Sequence, residues 1–200
     1  KEVDFGTSLK NGPYAMTNLG RVYQKAAQAN WKGFYTFADY ECYQPSYESP
    51  ASFIAAPVFS DGKKTGVVIL QMSIGWIDSI MTEHAGLGET GEAYLVGPDK
   101  LFRSNSRFLE ELGVQTTIIS PQHRVETEAT QSRVEDELSD TRVITDYRGT
   151  RVLSSWMPIP VYRPLQQGDE PVVWTLVAEI DLSEVRGPVR AVATFAAIVF

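Results

Sequence analysis

The chain has 200 residues, 43% hydrophobic and 22% charged, which is enough for one sizeable core or two small ones. Its net charge of −7 repels phosphate backbones and excludes nucleic acid as a natural partner. A single cysteine, Cys42, excludes an intrachain disulfide, and two isolated histidines, His84 and His123, give no metal-binding spacing, so neither metal nor cofactor is expected.

In chain order, the first element is a helix within Pro13–Ala29, where Leu19, Val22, Tyr23, Ala26 and Ala27 recur at helical spacing. Gly33–Tyr43 is rich in aromatics and reads as a strand. Ala51–Ser73 reads as two apolar strands around Ser60-Asp61-Gly62-Lys63, since Asp-Gly between β-branched runs is a strong hairpin signal. A short helical stripe of Ile74, Ile77, Ile80 and Met81 follows. Ala93–Val96, the turn Gly97–Lys100 and Leu101–Ser104 form a second expected hairpin.

The stretch His123–Ser139 has polar helix formers and a thin apolar stripe, so it reads as an exposed helix. Thr141–Ile159 reads as a third hairpin turning at Arg148-Gly149. After a polar loop with prolines, Val172–Asp181 is a strand with few charges, expected to be central. A helix capped by Ser183 closes the chain, and Ala191–Phe200 carries only Thr194 as a polar residue. That ending reads as the first half of a transmembrane helix, with a buried C-terminal helix as the alternative; Arg186 and Arg190 are placed to reach headgroups.

Gly86, Gly88 and Gly91 spell G-x-G-x-x-G, the fingerprint of a dinucleotide site. That site needs strand, glycines and then helix, so that free helix N–H groups meet the pyrophosphate. Here a helix precedes the glycines and a strand follows, so the motif reads as a helix terminator and a hinge. No nucleophile with a base at catalytic spacing is present, and no enzymatic activity is expected of this region.

The strings "GLGETGEAYLVGPDKLFRSNSRF", "DFGTSLKNGPY", "FADYECYQPS", "ASFIAAPVFSDGKKTGVVILQMSI" and "TDYRGTRVLSSWMPI" resemble double Cache sensor domains. These are PAS-like periplasmic ligand-sensing regions of bacterial chemoreceptors, histidine kinases and membrane-bound cyclases. The resemblance implies an α+β fold of antiparallel sheets with flanking helices. It implies the C-terminal part of a membrane-distal module at 1–82, a linker at 83–92, a membrane-proximal module at 93–182, and a juxtamembrane and transmembrane segment at 183–200. A long helix and a first distal hairpin are implied upstream of Lys1. The implied partners are a small-molecule ligand, a second copy of the chain as a homodimer, and the bacterial inner membrane. One departure is Gln71, where relatives that bind amino acids carry an Asp that pairs with the ligand ammonium.

Strand alternation places Tyr35, Phe37, Asp39 and Tyr43 on one face, and Gln71 inside an apolar strand is expected to be a buried amide. These five are the distal candidate residues, with core packing as the other reading of the aromatics. In the proximal module Arg103, Ser104, Asp146 and Tyr147 are the candidates. Arg103 either holds a ligand carboxylate by two parallel hydrogen bonds or forms a structural pair with Asp146.

Overall fold

The computed structural model describes residues 3–131, 139–165 and 169–187. The chain divides into two compact units: residues 1–76 with 161–172, and residues 77–160 with 173–200. Each has its own antiparallel sheet and its own core cluster. The expected α+β architecture is therefore present.

In the first unit, α1 (Asn18–Gln28) packs on a sheet of order β1-β2-β3, with β1 at Thr36–Tyr43, β2 at Ser49–Ser60 and β3 at Lys63–Ser73. The helix begins later than the proline suggests, because Thr17 is the cap and its hydroxyl accepts the Gly20 amide. Leu19, Val22 and Ala26 lie one turn apart and meet Tyr43, Ala51, Phe53 and Ala55 of the sheet. The β2–β3 hairpin turns at Asp61-Gly62, both at positive φ, as the Asp-Gly signal predicts.

One irregularity organises β1. Ala38 opposes Phe53 and Glu41 opposes Ala51, so three steps on β1 match two on β2. This β-bulge reverses the alternation of the strand. Asn18 Nδ2 donates to the Asp39 carbonyl at 3.3 Å and to the Ala51 carbonyl at 2.7 Å, tying the start of α1 to the bulge.

The second unit starts with α2 (Gly75–Met81), whose first two residues belong to the first unit, and continues through β4 (Glu92–Val96). Short helices α3 (Leu109–Leu112) and α4 (Glu128–Gln131) precede β5 (Asp140–Thr145), β6 (Arg151–Tyr162) and β7 (Val172–Asp181). The sheet order is β4-β7-β6-β5, which places β7 inside the sheet, as its apolar composition predicts. Residues 182–187 continue β7 as a helix. The second half of the expected Ala93–Ser104 hairpin is reduced to isolated bridges, Val96 with Phe102, Leu101 with Arg124 and Phe102 with Ile118. The expected exposed helix at His123–Ser139 is corrected over its first part: residues 123–127 are irregular, with Val125 buried and Arg124 bridged to Leu101, and only α4 is helical, with Ala129 and Thr130 buried; residues 132–138 and the apolar ending Ala191–Phe200 lie outside the described residues.

Residues 161–172 fall inside the expected proximal module, yet they pack with the first unit. Tyr162 stacks edge-on against Tyr35 at 5.8 Å and tilts over Phe37 at 5.9 Å. Its hydroxyl donates to Asp169 at 2.8 Å, and Asp169 also accepts from Thr36 at 3.2 Å and from Lys25. Burial pushes the Asp169 carboxyl upward, but Lys25, Tyr162 and Thr36 together hold it below the ordinary carboxylate range.

Candidate functional site

The distal candidates separate onto two faces of β1. Thr36 and Ala38 oppose Ala55 and Phe53 on the α1 side; after the bulge, Glu41 and Tyr43 take that side. Tyr43 is buried there against Phe53, and its hydroxyl donates to Asp4 at 2.7 Å. Tyr35 and Phe37 instead meet Tyr162. The expectation of one shared face for Tyr35, Phe37, Asp39 and Tyr43 is corrected by the extra residue of the bulge, which unaided period-2 reading does not register. Asp39 sits in the bulge, where its carboxylate accepts the Tyr40 amide at 2.8 Å.

Gln71 also differs from expectation. It lies exposed on β3, between Leu70 (61% exposed) and a half-buried Met72, and donates to Ser46 at 3.3 Å. β3 pairs only with β2 among the described strands, so its outer edge faces no described strand, and the apolar run does not make it a buried one.

The proximal candidates are all embedded, but in different roles. The Arg103 guanidinium folds back on its own turn, donating to the Leu101 carbonyl at 2.9 Å and to Asp99 at 3.0 Å. Gly97 permits this: a Cβ there would stand 2.2 Å from the guanidinium. Ser104 accepts the Leu95 amide at 3.1 Å. Asp146 accepts the amides of Arg148 and Thr150 at 2.9 and 2.8 Å and the Arg148 guanidinium at 2.8 Å. The expected Arg103–Asp146 pair is therefore replaced by Arg103–Asp99 and Arg148–Asp146. Both substitutes are local in sequence, four and two residues apart, and need little chain ordering.

Tyr147 leads to the chemical centre of the second unit. Its hydroxyl donates to Glu92 Oε1 at 2.6 Å and lies 2.5 Å from Ser106 Oγ. The other Glu92 oxygen accepts from Ser106 at 3.2 Å and from the Arg107 amide at 3.1 Å. Directly across from Glu92 in the β4–β7 register stands Glu179, whose Oε2 accepts the Tyr94 hydroxyl at 2.8 Å. Residues so opposed share a face, with side chains roughly 5 Å apart at their base. Glu92 is 1% exposed and Glu179 4%.

Among the described residues, Glu179 Oε1 and Ser154 Oγ are buried and have no partner, as is also true of Trp156 Nε1, two residues along β6 from Ser154. Ser154 lies beside the Glu179 carboxyl without an aligned hydrogen bond. Burial pushes the Glu179 pKa up to about 7, with the negative charges of Asp146 and Glu92 adding to the rise and Ser154 and Tyr94 opposing it. Burial likewise raises Glu92, opposed by Tyr147, the Arg107 amide, Arg148 and Ser106. The Tyr94 and Tyr147 hydroxyls are held neutral, first by burial and then by the carboxylates they face.

Two anchors flank this pair. Arg148 donates to Asp146 and, at 2.7 Å, to Asp181 at the end of β7, while its guanidinium covers the Phe108 ring at 3.6 Å. Glu184, in the 182–187 helix, accepts from the Glu89 amide at 3.0 Å, the Thr90 amide at 2.8 Å and the Thr90 hydroxyl at 2.5 Å. The Thr90 hydroxyl in turn accepts the Asp181 amide at 3.0 Å. Gly88, at φ +76°, lies under the Glu184 carboxylate, where a Cβ would stand 2.3 Å from it. The G-x-G-x-x-G loop thus does receive an anion, a carboxylate of its own chain.

Glu92, Glu179, Arg148 and Glu184 escaped sequence reasoning. Glu92 and Glu179 carry a signal in retrospect: each is an acid at an inward position of an otherwise apolar strand. Glu184 carries none, because its partners are set by tertiary structure; Arg148 offers only its nearness to Asp146, and its bond to Asp181 is likewise tertiary.

No family model matches the chain, and no curated protein matches it by sequence. Solved structures share its fold. The periplasmic sensory domain of the Campylobacter jejuni chemoreceptor Tlp1 matches 84% of the chain at a TM-score of 0.57 and 12% identity. Methyl-accepting chemotaxis protein X matches 85% at 0.55 and 16%. The ligand-binding domain of the Pseudomonas aeruginosa amino acid chemoreceptor PctC, solved with GABA, matches 85% at 0.50 and 14%. The chain covers 57%, 56% and 63% of those three structures, respectively.

Proposed function

We propose that this chain is part of the extracytoplasmic sensor region of a bacterial transmembrane receptor, which binds a small molecule and passes a conformational change toward the membrane. The observation that carries this reading is the fold match over 84% of the chain to a chemoreceptor's periplasmic sensory domain. The two units correspond to the distal and proximal modules of a double sensor, and the chain works as a homodimer at the inner membrane. The route of transmission runs from β7 into the 182–187 helix, which Asp181 and Glu184 fasten to Arg148 and Thr90. A ligand acts by binding one arrangement of that fastening better than another.

A second reading, a transducer module without a ligand of its own, is favoured by one feature of the first unit. The face bearing Tyr35 and Phe37 is occupied by Tyr162 of the same chain, and Gln71 points to solvent.

A thermal-shift screen over amines, organic acids and amino acids at one fixed pH separates the two. A compound at 100 times its Kd stabilises the folded chain by about 2.7 kcal/mol. A shift with any one class supports the sensor. A flat response across all classes supports the transducer.

A further inference from the structure

The opposed carboxylates of Glu92 and Glu179 have an occupant that needs no cavity. Two acids on facing positions of neighbouring strands, both more than nine-tenths buried, do not ionise together without strong repulsion. We propose that the second unit is a pH-responsive switch: the Glu92–Glu179 pair carries one proton, on Glu179, which keeps the β4–β7 edge closed, and its loss loosens the attachment of the 182–187 helix. The signalling consequence rests on reading the chain as a sensor; the proton equilibrium does not.

The groups facing the pair, among the described residues, make the charge balance one-sided. From β4 comes Tyr94 and from β6 Ser154, both neutral. From the β5–β6 turn come Tyr147, neutral, Asp146, negative, and Arg148, positive. From the loop after β4 come the Ser106 hydroxyl and the Arg107 amide, while the Arg107 guanidinium is turned to the carbonyls of Gly88 and Gly91. Arg148 is already matched by Asp146 and Asp181, with Glu111 of α3 at 3.8 Å as a third acid. No cation remains to compensate a doubly ionised pair among these residues.

The coupling to the helix follows from the register. Continuing the ladder two residues from Glu92 and Glu179 places Thr90 opposite Asp181. That is where the Thr90 hydroxyl accepts from the Asp181 amide and donates a hydrogen bond to Glu184. Like charges directly opposite one another destabilise a strand pair. When the proton leaves, repulsion arises one pleat away from the contacts that hold Glu184, so those contacts weaken first. Protonated, Glu179 can donate from Oε1 to Ser154, which gives both unpartnered atoms a bond.

The test is a carboxyl-carbon and amide NMR titration of the whole chain between pH 5 and 8, with no added ligand. The proposal expects Glu179 to titrate near 7 and the amide signals of Thr90 and Glu184 to move with the same midpoint. In Glu179→Gln, which keeps the acceptor for Tyr94, the movement at Thr90 and Glu184 disappears. Titration of Glu179 in the ordinary carboxylate range overturns the proposal, as does a Thr90 signal that ignores the Glu179 midpoint. Should the variant not fold, the wild-type titration decides alone. The ligand screen at fixed pH reports on the sensor reading separately, so either idea can fail without the other.

Discussion

The Glu184 carboxylate is bound by both the amide and the hydroxyl of Thr90, at 2.8 and 2.5 Å, across 94 residues of sequence. These bonds and the Glu89 amide hold the carboxyl below the ordinary range. They join the segment leading into β4 to the helix leaving β7. Glu184→Ala is expected to raise hydrogen exchange at the Glu89 and Thr90 amides several-fold while leaving exchange in β6 unchanged. Equal exchange at Thr90 in both proteins would show that the clamp carries no weight.

Arg148 is 5% exposed at its side chain and serves Asp146 and Asp181 at once. Two acids outweigh the cost of its burial and keep the guanidinium charged. Removing one partner of such a buried group leaves charges without compensation. Arg148→Ala is therefore expected to cost about 3 kcal/mol in denaturant unfolding. Arg148→Lys retains the charge but loses the fork, and recovers only part of that loss.

The two units are expected to respond to acid in opposite directions. Asp169 in the first unit is held low, so its stabilisation is present above the ordinary carboxylate range and is lost as pH falls through the depressed value. Glu179 in the second unit is held high. Its contribution is complete below the unfolded carboxylate pKa and is lost as pH rises from there through about 7. Melting followed by tryptophan fluorescence, in variants that keep only Trp31 or only Trp156 of the four tryptophans, should show the second unit gaining from pH 8 to 5 and the first unit failing first below pH 4. Asp169→Asn removes the acid sensitivity of the first unit and costs it about 1–2 kcal/mol at neutral pH.

Gly97→Ala places a methyl within 2.2 Å of the Arg103 guanidinium, whose side chain is 1% exposed and cannot swing away freely. A loss of about 1–3 kcal/mol is expected, as for other overpacked sites. The double variant with Arg103→Ala should lose less than the two single losses added together, since the clash is then absent.

Gln71→Ala is expected to change stability by less than about 0.5 kcal/mol, because the amide is exposed and its side-chain hydrogen bond among the described residues, to Ser46, is 3.3 Å long. A large loss in a melting experiment would restore the buried amide that the sequence suggests.

Regular elements were legible where one local rule decides them. Asp61-Gly62 specified its own turn, the spacing of Leu19, Val22 and Ala26 specified the buried side of α1, and the apolar run of β7 specified an inner strand. The candidate sites were less legible, for two physical reasons. One inserted residue between Ala38 and Glu41 reversed every later side chain of β1, and nothing in "FADYECY" marks it. Arg103 and Arg148 are both candidate partners for Asp146, and Arg103, the long-range choice, is the one expected although a local one, two residues away, is present. The short two-residue loop decided for Arg148.

The chain leaves the first unit after Trp76, returns at Val161 and departs again after Val172. A gene fragment ended at the linker would encode a first unit deprived of Tyr162 and Asp169. Lys25 and Thr36 would then face water, and the rings of Tyr35 and Phe37 would be stripped of their cover. Dissecting this protein into halves therefore calls for a spliced design, with the excursion grafted back onto the amino-terminal piece, rather than a single scissor cut.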